Sequence, residues 1–254
     1  MLKIENVEVV GWEHAIRGMR NPKNSWDRSD SARCGRRICE EGCPYMDTPE
    51  CQDADPDTMI IGPNDHKLMM SLAKGGPVHA KYRRYITVYL DITAPFYWWK
   101  EFKTYRHGRK FMDDDRLFEL DDYEIDNIEY HIETNSCSTM HKIHDKEFTL
   151  DDFSTEHLLP NPSMEVLTSV VGALNVARNC YLACQDPVIK KDWWWQMIQL
   201  LPSSYNQKRT VRLDYEVLAA IYEFRKDHKL DEWHVFCDWI KSLPYSEIIT
   251  GENV

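Results

Sequence analysis

Two charged residues on an apolar stripe carry the most specific chemistry in this chain. In LDYEVLAAIYEFR, Val217, Leu218, Ile221 and Phe224 recur at helical spacing, which predicts a helix with one buried face. Asp214, Leu218, Ile221 and Arg225 fall on one side of it, because the eleven residues from Asp214 to Arg225 are close to three turns. An arginine on such a stripe needs an anion. That anion is either a carboxylate of the protein, which makes the arginine structural, or a ligand phosphate, which makes it a binding residue.

Three other groupings have residue types that can do chemistry. Cys34, Cys39, Cys43 and Cys51 lie within eighteen residues among Gly, Pro and Asp, a composition that can clip a loop around zinc or an iron–sulfur cluster. Their gaps of four, three and seven residues fit no common zinc-ribbon or ferredoxin pattern, so we read free thiols on an insertion and no metal. Cys137 and His141 are four apart, a helical offset that lets an imidazole reach a thiol, with Ser138 between them. No third residue completes a triad. Three consecutive aspartates at 113–115 suggest a cation, but acidic runs are ordinarily solvated faces, and that is the reading here.

The bulk numbers narrow the classes. A chain of 254 residues, 43% hydrophobic and 29% charged, suits one globular domain with a sizeable core. A formal net charge of −11 argues against a nucleic-acid polymer as partner. No apolar run has the length of a membrane span and MLKIENVEVV has no signal-peptide pattern, so no membrane contact and a cytoplasmic location with reduced thiols are expected.

The elements that must position these residues follow from periodicity. Residues 2–10 read as a strand and GWEHAIRGMR as a short helix stopped by Asn21-Pro22. NDHKLMMSLAKGG reads as a helix with Asn64 as N-cap. In RRYITVYLDITAP, Ile86, Val88, Leu90 and Ile92 alternate with polar or aromatic residues, the signature of an amphipathic strand. Trp98, Trp99, Phe102 and Tyr105 then recur at helical spacing. SMEVLTSVVGALNVARNCYLACQ is the most apolar helix and is expected at the centre of the core; KKDWWWQMIQLLP is another helix, and SLPYSEIITGENV a loose end.

The order of these motifs resembles that of the flavin-dependent thymidylate synthases. Leu-Pro at 201–202, eleven residues, Asp214, ten residues and Arg225 match the C-terminal signature of that family. GPVHAKYRRYITVYLDITAPFYWWKEFKTYRHG repeats its His-bearing turn, strand and helix with a basic end, and NSCSTMH stands where the family has Asn-Glu-x-Ser-x-Arg-Tyr. Asn135 and Ser138 are kept, whereas Ser136, Met140 and His141 replace the Glu, Arg and Tyr. Ile198 stands where the family has an arginine before Leu-Pro. The two lost arginines remove bidentate grips on the nucleotide.

The resemblance implies an α+β fold, a twisted and mostly antiparallel sheet packed with helices. It implies a single domain over residues 1–254, interrupted by a Cys-rich insertion at about 30–60 and an acidic one at about 108–134. It implies FAD, held near His79, Arg84, Arg106, His107 and Asp214. It implies a pyrimidine deoxynucleotide held by Arg225, Asn135, Ser138 and His141, with Ser138 as the catalytic contact. The implied reaction converts dUMP to dTMP with methylenetetrahydrofolate and NADPH as co-substrates, in a homotetramer. The alternative is a non-catalytic or altered-specificity nucleotide-binding protein on the same scaffold. A third reading is a metal-clipped interaction protein built around the Cys cluster.

Overall fold

The alternating strand read from RRYITVYLDITAP becomes the middle of a sheet. In a computed structural model that describes residues 2–34, 59–107 and 132–252, without the side chains of Arg106 and His107, six strands form. They are β1 (Lys3–Val10), β2 (Ala32–Arg33), β3 (Met59–Ile60), β4 (Thr87–Pro95), β5 (Glu133–Ser136) and β6 (Asn206–Asp214). The main sheet has the order β1-β4-β6-β5, antiparallel throughout, and β2 and β3 make a separate short ribbon. Cys39, Cys43, Cys51 and the aspartates at 113–115 lie outside the described residues.

One sheet face is the core. Val88, Leu90 and Ile92 of β4, together with Val211 and Leu213 of β6, are at most 1% exposed. They join one cluster with Trp98, Trp99 and Phe102 of α3 (Phe96–Phe102), and with residues of the later helices Tyr215–Arg225 and Asp231–Lys241. Trp98 is the hub, its ring 4.9 Å from Phe102 and 4.8 Å from Trp233. The opposite face is polar. There Asp91 accepts hydrogen bonds from Thr210 and Asn6 and pairs with Lys208, which together hold its carboxyl down at about 2.

The remaining helices are α1 (Trp12–Arg20), α2 (Pro63–Lys74), α4 (Thr139–Lys142), α5 (Glu165–Ala183), α6 (Pro187–Leu200), α7 (Tyr215–Arg225), α8 (Asp231–Lys241) and α9 (Glu247–Thr250). Among the described residues no helix is long and apolar enough to cross a membrane. Gly11 joins β1 to α1 at φ +97, where a Cβ would lie 1.9 Å from the Tyr85 carbonyl oxygen, so only glycine fits.

The α+β architecture and the antiparallel sheet are as the sequence implied; three details differ. Helix α5 is not central. Only Leu167, Val171, Leu174 and Ala177 are buried, in a second cluster with Met197 of α6, while Val166 and Val176 are each 59% exposed. The sheet's inner face is already filled by the aromatic residues of α3 and α8, so the most apolar helix packs elsewhere. Helix α2 starts at Pro63, and its cap is Asp30 from a distant loop, accepting from the Asn64 and Asp65 amides at 2.8 and 3.0 Å.

The tail, expected to be loose, is tied into the core. Ile248 is fully buried, Tyr215 donates to the Pro244 carbonyl at 2.7 Å, and the Ile61 amide donates to the Tyr245 hydroxyl at 3.0 Å. Ile248→Val should therefore lower stability by about 0.5–1.5 kcal/mol, the cost of one buried methyl group. Chemical denaturation measures it, and an unchanged midpoint would show the tail to be unpacked.

Candidate functional site

Arg225 closes α7, and its guanidinium meets a carboxylate of the protein. Glu101, in the last turn of α3, places Oε2 3.8 Å from Arg225 and 3.4 Å from His228 Nε2. The same oxygen accepts from the Trp233 indole N–H at 3.0 Å. The guanidinium also lies over the rings of Tyr105 and Trp233, at 5.3 and 5.0 Å from their centroids, a cation–π arrangement. Of the two anions that the stripe allowed, the structure supplies the internal one.

The cluster is not sealed. The Glu101 side chain is 36% exposed against 19% for Arg225, so the pair opens to the surface on the carboxylate side. Arg225 Nε and the Tyr105 hydroxyl are buried with no hydrogen-bond partner among the described residues. Burial raises the Tyr105 phenol above its ordinary value, so it stays protonated at neutral pH. An orphaned donor beside an exposed carboxylate is a polar corner with unspent hydrogen-bonding capacity.

Asp214 ends β6 and caps α7, its Oδ1 accepting from the Val217 amide at 2.9 Å, and it is 5% exposed. Beside it in α7 is a pair that sequence reasoning missed, Arg83 with Glu216 at 3.5 Å, both side chains 6% exposed. The sequence reading singled out Arg84, which is half-buried, whereas its neighbour Arg83 points inward. His79 is exposed at the start of the 3-10 turn Ala80–Tyr85, and its ring rests against Gly75. The side chains of Arg106 and His107 lie outside the described residues.

Asn135, Ser138 and His141 form a second, exposed strip. Asn135 sits on β5 opposite Thr210, and Ser138 precedes α4 without capping it. Cys137 Sγ lies 3.5 Å from Thr139 Oγ1, which accepts from Gln207 Nε2 at 2.9 Å. Among the described residues no hydrogen bond links Cys137 to His141, and no hydrogen bond or ion pair joins this strip to Arg225. Cys237 is buried, and burial pushes its thiol up to about 11, which leaves it unreactive at neutral pH. Among the described residues no group of three His, Cys, Asp or Glu side chains is placed to hold a metal ion.

A flavin dinucleotide carries a diphosphate, which needs cationic donors. His79 and Arg84, on one surface turn, have that chemistry. Asp214 brings no cation; its Oδ1 accepts from the Val217 amide of the helix it caps. Glu101, His228 and Glu216 were missed because each is one polar residue in an aromatic or charged run, and its partner comes from another element.

The chain matches no protein-family model and no curated protein sequence. Its fold does have solved counterparts. Thymidylate synthase X from Helicobacter pylori, solved with FAD and dUMP, is 13% identical with a TM-score of 0.57, over 98% of this chain and 96% of that one. A second structure of the flavin-dependent enzyme from that organism, complexed with FAD and dUMP, has a TM-score of 0.54 at 13% identity over 97% and 96%. The UMP/dUMP methylase PolB from Streptomyces cacaoi, bound with 5-Br dUMP, is 11% identical with a TM-score of 0.52 over 99% and 95%. At such identities the structural likeness establishes the fold alone. The described residues have a divergent form of the flavin-dependent thymidylate synthase fold.

Proposed function

We propose that this chain binds FAD and a pyrimidine deoxynucleotide and transfers a one-carbon unit to the nucleotide. The reaction is that of a flavin-dependent thymidylate synthase, dUMP to dTMP, with methylenetetrahydrofolate and NADPH as co-substrates. The observation that carries the reading is the end-to-end correspondence of fold with a protein solved with FAD and dUMP. When bound, the flavin supplies the hydride chemistry, and the protein supplies position and electrostatics.

In this reading His79 and Arg84, with Arg106 and His107 in the 3-10 turn Lys103–His107 that follows α3, take the flavin diphosphate, and Asp214 contacts the flavin from the start of α7. Ser138, Asn135 and His141 contact the nucleotide from the exposed strip, with Ser138 as the catalytic contact, and Arg225 contacts it from the Glu101 corner. Among the described residues of one chain no hydrogen bond or ion pair joins the strip to the corner. A homotetramer, the proposed assembly, can complete the site with residues of neighbouring subunits. The uncovered apolar faces of α5 and α6 support it: Val188 is 71% exposed, and Val166, Val176, Ile189, Trp195 and Leu200 are also exposed.

A second reading, nucleotide binding without turnover, is favoured by one observation. Met140 is 39% exposed where an arginine would be expected to grip the nucleotide, so that grip is absent. Titration with FAD, then assay for dTMP from dUMP with methylenetetrahydrofolate and NADPH, separates the readings. We expect quenched flavin fluorescence on binding and dTMP formed. Binding of FAD and dUMP without product selects the second reading, and no flavin binding at all overturns both the cofactor and the reaction.

A further inference from the structure

A cavity of about 390 Å³ lies between α1 and the loop that follows it, with Met59 of β3 in its wall. No step of the proposed reaction uses it. Its scaffold is Asp65 in α2, which is fully buried and accepts five hydrogen bonds. Arg20 Nε donates at 2.6 Å, the Ser29 and Ser31 hydroxyls at 2.6 and 2.7 Å, and the Asp30 and Ser31 amides at 3.2 Å each. Arg20 Nη1 donates to the Ser25 carbonyl at 3.0 Å, so the loop is held from both ends. Gly62 permits the approach, since a Cβ there would fall 2.2 Å from the Asp30 carboxyl carbon.

This lattice presents an aromatic face to solvent. Trp26 is 50% exposed, yet its indole N–H is fixed on Asn21 Oδ1 at 2.8 Å. Around it stand Arg17, exposed and in contact with the His14 ring at 3.5 Å, and Arg33, paired with Glu13 at 3.0 Å. Arg20 is spent on the buried Asp65, and Arg17 and Arg33 stand with Glu13 on the open wall. The Ser29 hydroxyl proton goes to Asp65, which leaves its oxygen only lone pairs to offer, and Glu13 is likewise an acceptor.

A ligand complementary to these walls has a flat ring for the indole, an amine for the acceptors and an anion for the arginines. We propose that this cavity binds a purine nucleoside monophosphate: the base stacks on Trp26, the exocyclic amine donates to Ser29 or Glu13, and the phosphate takes Arg17 with Arg33. The site does not rest on the proposed reaction. It lies on the side of α1 away from Gly18, which packs on Tyr85 of the turn bearing His79 and Arg84.

Calorimetric titration of the full chain with AMP, GMP, adenosine and inorganic phosphate tests it. We expect at least one of AMP and GMP to bind, with adenosine and phosphate each weaker by roughly tenfold or more, because each keeps half of the contacts. Trp26→Leu and Arg17→Gln should each weaken the monophosphate by roughly tenfold or more at unchanged melting temperature, since both side chains are exposed. Saturating FAD should leave the affinity unchanged. Absence of binding by both monophosphates, binding indifferent to both variants, or competitive displacement by FAD each overturns the proposal; displacement would put the ligand in the flavin site instead.

Discussion

Alanine in place of Asp65 should destabilise the protein by about 3–5 kcal/mol, the cost of stripping one partner from a buried ion pair. For a chain of this size each kcal/mol moves the melting temperature by roughly 2–4 °C, so the shift should be unmistakable in a thermal scan. The cause is local. Five donors converge on one carboxylate that is fully buried, and Arg20, itself 5% exposed, would be left without its counter-charge. The loop from Ser25 to Ser31 and the start of α2 would loosen together, because Asp30 caps that helix. The same carboxylate sets a pH dependence. Burial pushes the Asp65 carboxyl up, but the Ser29 and Ser31 hydroxyls and the Arg20 guanidinium outweigh it and hold it below its ordinary value. A lowered folded value means the stabilisation is present above about pH 4, the unfolded aspartate range, and is lost as pH falls through the folded value. Asp65→Ala should therefore differ most from wild type at neutral pH and converge on it in acid. Equal denaturation midpoints at pH 7 would show that the network contributes nothing to stability.

Asp65 also shows where the sequence stops being informative. An aspartate in the first turn of a helix is commonplace, and its partners Arg20, Ser29 and Ser31 lie 34 to 45 residues away. Strand β4 was legible because every second residue is aliphatic and lands on the buried face. Strand β6, its neighbour in the centre of the sheet, was not, because NQKRTVRLD has only Val211 and Leu213 as aliphatic residues inward; Gln207 and Arg209 share that face, Arg209 lying over the Trp99 ring at 4.3 Å. Helix α5 misled for the converse reason: apolar composition registers a face to be covered without saying whether the cover belongs to the same chain. The site divides in the same way. The stripe bearing Asp214 and Arg225 was visible as helical spacing. That Arg225 rests on Glu101, and that Asp214 is committed to a cap, depends on strands and turns meeting across the fold.

Arg225→Ala should cost about 1–3 kcal/mol of stability in the free protein. The ion pair contributes little, since Glu101 is 36% exposed and 3.8 Å away, in the range where exposed pairs are worth up to about 1 kcal/mol. The two ring contacts add roughly 0.5–1 kcal/mol each. A structural arginine and a ligand arginine both predict some loss here, so stability alone does not decide the role. Glu101→Gln does. If Arg225 receives the nucleotide phosphate, the Glu101 carboxylate stands against that phosphate, and neutralising it should tighten dUMP binding. About 1 kcal/mol of relieved repulsion corresponds to roughly fivefold in affinity. Arg225→Ala should weaken dUMP by roughly tenfold or more, the size of a charge-assisted hydrogen bond, and should abolish the gain in the double variant. Calorimetry of the four proteins gives the complete cycle. If Glu101→Gln leaves dUMP affinity unchanged while Arg225→Ala lowers only the melting temperature, the pair is a strut between α3 and α7, and the nucleotide must be gripped elsewhere.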